Sequence, residues 1–404
     1  MRRTALVVVL LALLLPAPAH AAGAKHISYT RWATTSELAT GTARGTATVD
    51  GRLVIDTPMG VEKPGATAYE WARWTSPYVD AGFDLTELVA SWVATTPGNT
   101  WIRVDVRGRT SDGQPTGWDK VSRWAAGDRY VHRSSYGSQP DGDARVAYDT
   151  WVVPKGVRQW QLRVTLFRRS GTTVTPTVDT IGAMVSRNAT LSAPTSKPLG
   201  IATGTVLPVP AYSQMVHEGE YPEYDGGGEA WCSPTSTAMV LGYYDALPAP
   251  KTYAWVDPSY PDRFVDQVAR MTFDYSFDGT GNWPFNTAYA ATRTGRAFVT
   301  RLRDLRDAER FIAKGIPIVA SIAFGKGQLV GAPISSTDGH LVVIVGFRSG
   351  GNVVVNDPAA VRNSSVRRTY DRAQFEAAWL RRSGGLSYVI TDDAHRLPRS
   401  SGRW

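Results

Sequence analysis

The 404-residue chain predicts a multi-domain protein: an N-terminal all-β sandwich of jelly-roll type, followed by an α+β domain. Three features carry that division. From Lys25 to about Ser186, short alternating segments recur between turn signals, and no helical period interrupts them. Asn188 to Gly204 is rich in Ser, Thr, Pro and Ala without periodicity and reads as a linker. Beyond it come helical patterns and then a strand meander, the order of an α+β fold. The expected bounds are 1–22 for a signal peptide, 24–187 for the sandwich, 188–204 for the linker, 205–392 for the second domain and 393–404 for a basic tail.

The first element is the leader. Met1-Arg2-Arg3 precedes an apolar run from Ala5 to Leu15, and Pro16, Pro18 and Ala19-His20-Ala21 set cleavage near Ala22. That run is too short to span a bilayer, and no later stretch reaches about 18 apolar residues. The expectation is a secreted, extracellular monomer with no membrane span. Net charge is +8, with 36 arginines and 8 lysines scattered among 36 acids. Such a balance suits an anionic surface such as a cell-envelope polymer, and an exported chain has little occasion to meet nucleic acid.

In the sandwich, Trp101 to Arg107 and Trp160 to Leu166 alternate with period two. Further strands are expected over 45–56, 69–75, 87–95, 145–153 and 178–186, separated by turns such as Thr96-Pro97-Gly98-Asn99 and Ser170-Gly171. Asp141-Gly142-Asp143 reads as a turn before it reads as a calcium site. Nine of the fourteen tryptophans lie here, from Trp32 to Trp160. Most are expected in the core, while exposed ones would stack on sugar rings.

The second domain opens at Val206 to Gln214 and passes through a Gly-rich loop, 216–228. A helix should start at Cys232, with Pro234 in its first turn and Ser233, Thr235 and Ser236 able to cap it. More helices are expected over 260–271, 284–294 and 304–314, and strands over 316–322, 340–347, 352–356 and 386–391. A late helical turn covers 375–380.

Cys232 is the only cysteine in the chain. Secreted proteins usually pair their thiols, so a lone one at a helix N-terminus, where the dipole favours thiolate, suggests a thiol that is used. A base must be found among His217, His340 and His395. His340 opens the apolar run Leu341 to Gly346, which puts a titrating ring at the end of a rigid strand. Asn356-Asp357-Pro358 ends the partner strand, and a hairpin centred near Ser349 brings Asp357 opposite or diagonal to His340. Gln214, upstream of the thiol, offers an amide that with the Cys232 N–H would form an oxyanion hole. Singly, these residues also fit a buried small hydrophobe, a strand-end histidine, a strand-ending turn and a surface amide.

As an ordered set, Gln214, Trp231-Cys232-Ser233-Pro234-Thr235-Ser236, Gly339-His340-Leu341-Val342 and Asn356-Asp357-Pro358 resemble a papain-like cysteine peptidase of the C39-like family, related to bacteriocin-processing peptidases. The resemblance covers about 206–391. It implies Cys232 as nucleophile, His340 as acid and base, Asp357 as its orienting partner and Gln214 as oxyanion donor. It also implies a peptide or protein substrate, no cofactor and no metal. The chain departs from exporter domains in Ser233, where they carry glycine, and in a longer insertion between Gln214 and Cys232. The same triad also serves wall amidase or transamidase chemistry, or survives in a wall-binding protein without turnover. With all four groups beyond the linker, the sandwich is expected to be dispensable for hydrolysis of a small substrate.

Overall fold

The computed structural model describes residues 25–139, 142–188, 195–400 and 402–404. The signal-peptide reading of 1–22, and Asp141 of the acidic turn, lie outside the described residues.

Alternation builds the N-terminal half around one long strand, Thr150–Arg169. Its second half pairs with Thr100–Arg109 in an unbroken register, from Gln159 opposite Arg109 to Arg168 opposite Thr100. Along its other edge it changes partner, meeting Val79–Thr95 with its first half and Tyr69–Thr75 with its second. Register shifts between Val152 and Val157 mark the bend, and there Gly156 takes φ +78°, a left-handed conformation open to glycine at little cost. Val79–Thr95 then pairs with Thr177–Arg187, which pairs in turn with His26–Trp32. The strands at His26–Trp32 and Asp119–Trp124 were not expected; the first buries only Trp32, and the second sets Asp119 and Ser122 among its buried positions. Of the nine tryptophans, seven are buried in the core, while Trp71 and Trp118 remain partly exposed.

The C-terminal half is mixed α/β. Its antiparallel sheet runs in the order Arg296–Arg301, Leu386–Thr391, Ile318–Phe324, Thr337–Phe347, Val353–Asn356, Arg367–Tyr370. Helices Cys232–Tyr243, Phe264–Thr272 and Trp283–Thr294 stand close to their expected places. Ser233 to Leu241 are all buried, so the cysteine helix is enclosed on every side and central to its domain, with its hydroxyls in the first half and its apolar side chains in the second. Among the described residues no helix is long and apolar enough to cross a membrane.

The two halves share a core. Phe285 and Ala288, on the helix Trp283–Thr294, belong to the same apolar cluster as Trp92 and Trp124 of the sandwich. The Trp92 and Phe285 rings meet edge to face at 6.3 Å. The Trp283 N–H donates to Asp149 at 2.9 Å, the Ser135 N–H donates to Asp274 at 3.0 Å, and buried Arg133 donates to the Arg270 carbonyl at 2.8 Å. Part of the expected linker is docked as well: the Ser196 N–H donates to Glu376 at 2.7 Å, and Ala202 is fully buried. At the chain end, Trp404 packs against Phe311 with centroids 4.9 Å apart.

Candidate active site

The cysteine helix starts at Cys232, and no side chain caps it. Its hydroxyls face the sheet instead. Ser236 donates to the Leu341 carbonyl at 3.0 Å, and Ser233 meets the Tyr388 hydroxyl at 2.9 Å. For Ser233 and Ser236 the expected capping role is therefore displaced by tertiary bonds, while the Thr235 hydroxyl is buried and makes no bond. The consequence is geometric. Ser236, one turn beyond Cys232, ties the helix start to the residue after His340, so the half-buried thiol faces that strand.

His340 and Asp357 come together through a bulge. Phe347 opposes Val353 and Gly346 opposes Val354, but Ile344 opposes Val355 and Val343 opposes Asn356. Val345 is the extra residue, and its carbonyl accepts instead from the Leu207 N–H at 2.8 Å. Carrying the shifted register one step further sets Asp357 across from Val342, diagonal to His340 and on its face. An unbulged pairing would have set it across from Val343, on the other face. The bulge needs Gly346, where a Cβ would come within 2.1 Å of the Thr205 carbonyl oxygen.

The resulting contacts are short. His340 Nε2 lies 2.8 Å from Asp357 Oδ1, which leaves the ring's other nitrogen, Nδ1, free to face Cys232, whose sulfur lies near enough to favour the ring's charged form. Asp357 also accepts from the Tyr370 hydroxyl at 2.7 Å and from the Ala359 N–H at 3.1 Å. Burial is the largest single influence on His340 and disfavours its charge. The Asp357 carboxylate, then the Cys232 sulfur, outweigh it and push the ring up to about 10. Asp357 moves oppositely: burial raises it, but His340, Tyr370 and the Ala359 amide hold it below the usual carboxylate range. Both shifts describe a buried imidazolium–carboxylate pair. Burial and the same carboxylate keep the Tyr370 phenol protonated, as a donor must be.

Gln214 is 3% exposed and sits at the start of a short 3-10 turn, Gln214–His217. Its backbone N–H donates to the Pro358 carbonyl at 2.9 Å, beside Asp357. Its amide Nε2 donates to the Glu229 carbonyl at 2.6 Å, three residues before Cys232, and still carries a second hydrogen. Gly228 makes this closeness possible, since a Cβ there would stand 2.5 Å from the Gln214 carbonyl oxygen. Three of the four expected groups thus come together, His340 bonded to Asp357 and influenced by the Cys232 sulfur, and Gln214 is moored to backbone on both sides of them. Of the other histidines, His395 pairs with Asp392 at 2.6 Å, and His217 lies buried beside Glu220 and Asp266. Tyr370 escaped sequence reasoning, for no local pattern connects residue 370 to Asp357.

Comparison with known proteins follows the same division. Residues 28–186 match the peptidase C39 N-terminal domain, and residues 206–387 match the peptidase C39-like family. No curated protein matches significantly. Among solved structures, prointerpain A of Prevotella intermedia is 16% identical, covering 49% of this chain and 75% of its own at a TM-score of 0.29. A family two carbohydrate esterase of Cellvibrio japonicus is 13% identical over 46% of this chain and 42% of its own, at a TM-score of 0.19. A low-affinity xylan-binding module of Roseburia intestinalis is 10% identical over 40% of this chain and 95% of its own, at 0.18. At such scores the structural likenesses carry no argument of their own, and the two family matches do. Residues 206–387 thus carry a domain of the peptidase C39-like family, and residues 28–186 the N-terminal domain described for C39 peptidases.

Proposed function

We propose that the protein is a secreted cysteine peptidase that works through Cys232, His340, Asp357 and Gln214. The observation that carries this reading is the chain from the Cys232 thiol to His340 and on to Asp357, with the 2.8 Å bond from Nε2 to the carboxylate. In that arrangement the Cys232 sulfur attacks the scissile carbonyl carbon as thiolate, and the carbonyl electrons move onto oxygen. The Cys232 N–H, uncapped at the helix start, and the second hydrogen of Gln214 Nε2 stabilise that oxyanion. The His340 imidazolium gives its proton to the leaving amine as the C–N bond breaks. Water then attacks the thioester, returning a proton to His340 and releasing acid and thiolate. Asp357 holds the ring's orientation and charge throughout, and Tyr370 and Ala359 hold Asp357.

The sandwich, read as jelly-roll type, is proposed to meet the cell envelope. Its two partly exposed tryptophans are flanked by guanidiniums: Arg107 and Arg163 lie 4.6 and 4.1 Å from the Trp118 ring centre, and Arg73 lies 4.7 Å from that of Trp71. Such a surface suits an anionic polymer more than a neutral sugar, whose ring would need an uncovered indole face. This supports a second substrate reading, an amide within wall polymer.

The test is a digest of an unbiased peptide library and of purified cell wall by the wild type and by Cys232→Ala. Cuts in peptides that vanish in the variant support the peptidase. New amines from wall alone would move the substrate to wall amides. Equal turnover by the variant would overturn both.

A further inference from the structure

The insertion between Gln214 and Cys232 carries a cluster that the proposed chemistry does not use. His217 and Asp266 are fully buried, and Glu220 is 7% exposed. His217 Nδ1 stands 2.8 Å from Glu220 Oε2 and 3.4 Å from Asp266 Oδ2. One donor atom from each residue lies within 4.8 Å of the other two. Among the described residues, His217 is the sole ion-pair partner of either carboxylate. Neither Asp266 oxygen has a hydrogen-bond partner of good geometry, although both are sealed from solvent. Two buried carboxylates thus face one imidazole, and among the described residues no guanidinium or ammonium is paired to either.

From this we infer that His217, Glu220 and Asp266 form a binding site for one divalent transition cation of the zinc class. The donor set decides the class. An imidazole nitrogen with carboxylate oxygens suits zinc or its neighbours, whereas calcium and magnesium take six or more oxygens. Spacing agrees. Bonds of about 2.1 Å to a tetrahedral ion separate donors by roughly 3.4 Å, so the 2.8 and 3.4 Å gaps need little or no adjustment. Asp266 can chelate with both of its buried oxygens, which brings the donors to four.

The site is a staple. His217 and Glu220 belong to the insertion, and Asp266 to the helix Phe264–Thr272. The same short turn starts at Gln214, and a Cβ on Gly228 would press within 2.3 Å of the His217 carbonyl. A cation here would hold the oxyanion amide in place without touching substrate.

The probe is zinc chloride, titrated calorimetrically into the chelator-stripped full chain carrying Cys232→Ala, so that no thiolate competes. One equivalent should bind and raise the melting temperature. His217→Ala should abolish both effects, and the milder Glu220→Gln should weaken binding at least about tenfold while keeping the fold by circular dichroism. Calcium chloride should produce neither. Absence of zinc binding, or binding unchanged by Glu220→Gln and His217→Ala, would overturn the site. Because the measurement is made without the nucleophile, its failure would leave the peptidase reading untouched.

Discussion

Replacing Asp357 by asparagine removes one charge and leaves the shape, so it isolates what the carboxylate does for His340. The ring stands at about 10 against an ordinary value of 6.5, held there by Asp357 and Cys232 in opposition to burial. At about 1.4 kcal/mol per pKa unit, that is on the order of 5 kcal/mol in favour of the imidazolium. Without the carboxylate, burial gains on Cys232 and the ring should titrate several units lower. At neutral pH the ion pair is then largely lost, and kcat/KM should fall by about 10³ to 10⁴, the scale of losing an orienting carboxylate. Plotted from about pH 5 to about 11, the alkaline limb of kcat/KM should drop from near 10 toward the ordinary histidine range. Stability follows with a definite sign. A histidine raised on folding contributes stability that is complete below 6.5 and is lost as pH rises through about 10, so wild-type melting temperature should decline over that window. The variant should lack that decline. An alkaline limb at the same pH in both proteins, with activity lost only as the variant unfolds, would refute the argument.

On the proposed role of Gln214 as oxyanion donor, Gln214→Ala should lower kcat by about 10² to 10³ with little change in KM; single-turnover kinetics on a fluorogenic peptide would show it. Tyr370→Phe removes one donor to Asp357 and should cost about 1 to 2 kcal/mol of stability with a less than tenfold loss of kcat/KM, measured by denaturant titration and steady-state rates. Phe285→Ala should destabilise the chain by about 3 to 5 kcal/mol, with sandwich and peptidase signals lost in one transition. For the same reason a chain lacking 24–186 should be insoluble or inactive on small peptides, contrary to what the linker composition suggests; a soluble, active fragment would show that the shared core is dispensable.

What could be read in advance followed local rules. Tyr69–Thr75 and Leu386–Thr391 stand where they were expected, because each buries enough apolar side chains to outweigh other influences. Arg296–Arg301 escaped because it follows Gly295 directly and is bounded by arginines, so it resembles the frayed end of the preceding helix. The proposed site could be put together from the sequence because cysteine and histidine are scarce and the elements that carry them are strongly patterned. Asp357 was expected opposite or diagonal to His340 and stands diagonal to it, but the bulge that puts it there was not legible, since one extra residue, Val345, inverts the parity of a strand. Tyr370 and the His217 cluster are brought to their partners by long-range packing, which leaves no trace in local spacing. Nor did Phe285 announce its partner, for a phenylalanine on a helix reads the same whether its own domain or another covers it.

The shared core around Phe285 and Trp92 changes how sequence variation in this protein should be interpreted. A substitution at Trp92 or Trp124 lies in the sheet domain, remote in sequence from the thiol, yet it loosens the layer on which the helix Trp283–Thr294 rests. That helix packs in turn against the one that begins at Cys232, where Thr237 meets Asn286 at 3.1 Å. Loss-of-function alleles should therefore scatter over both halves, with those in the sheet acting through abundance of folded protein and those at the triad acting through turnover.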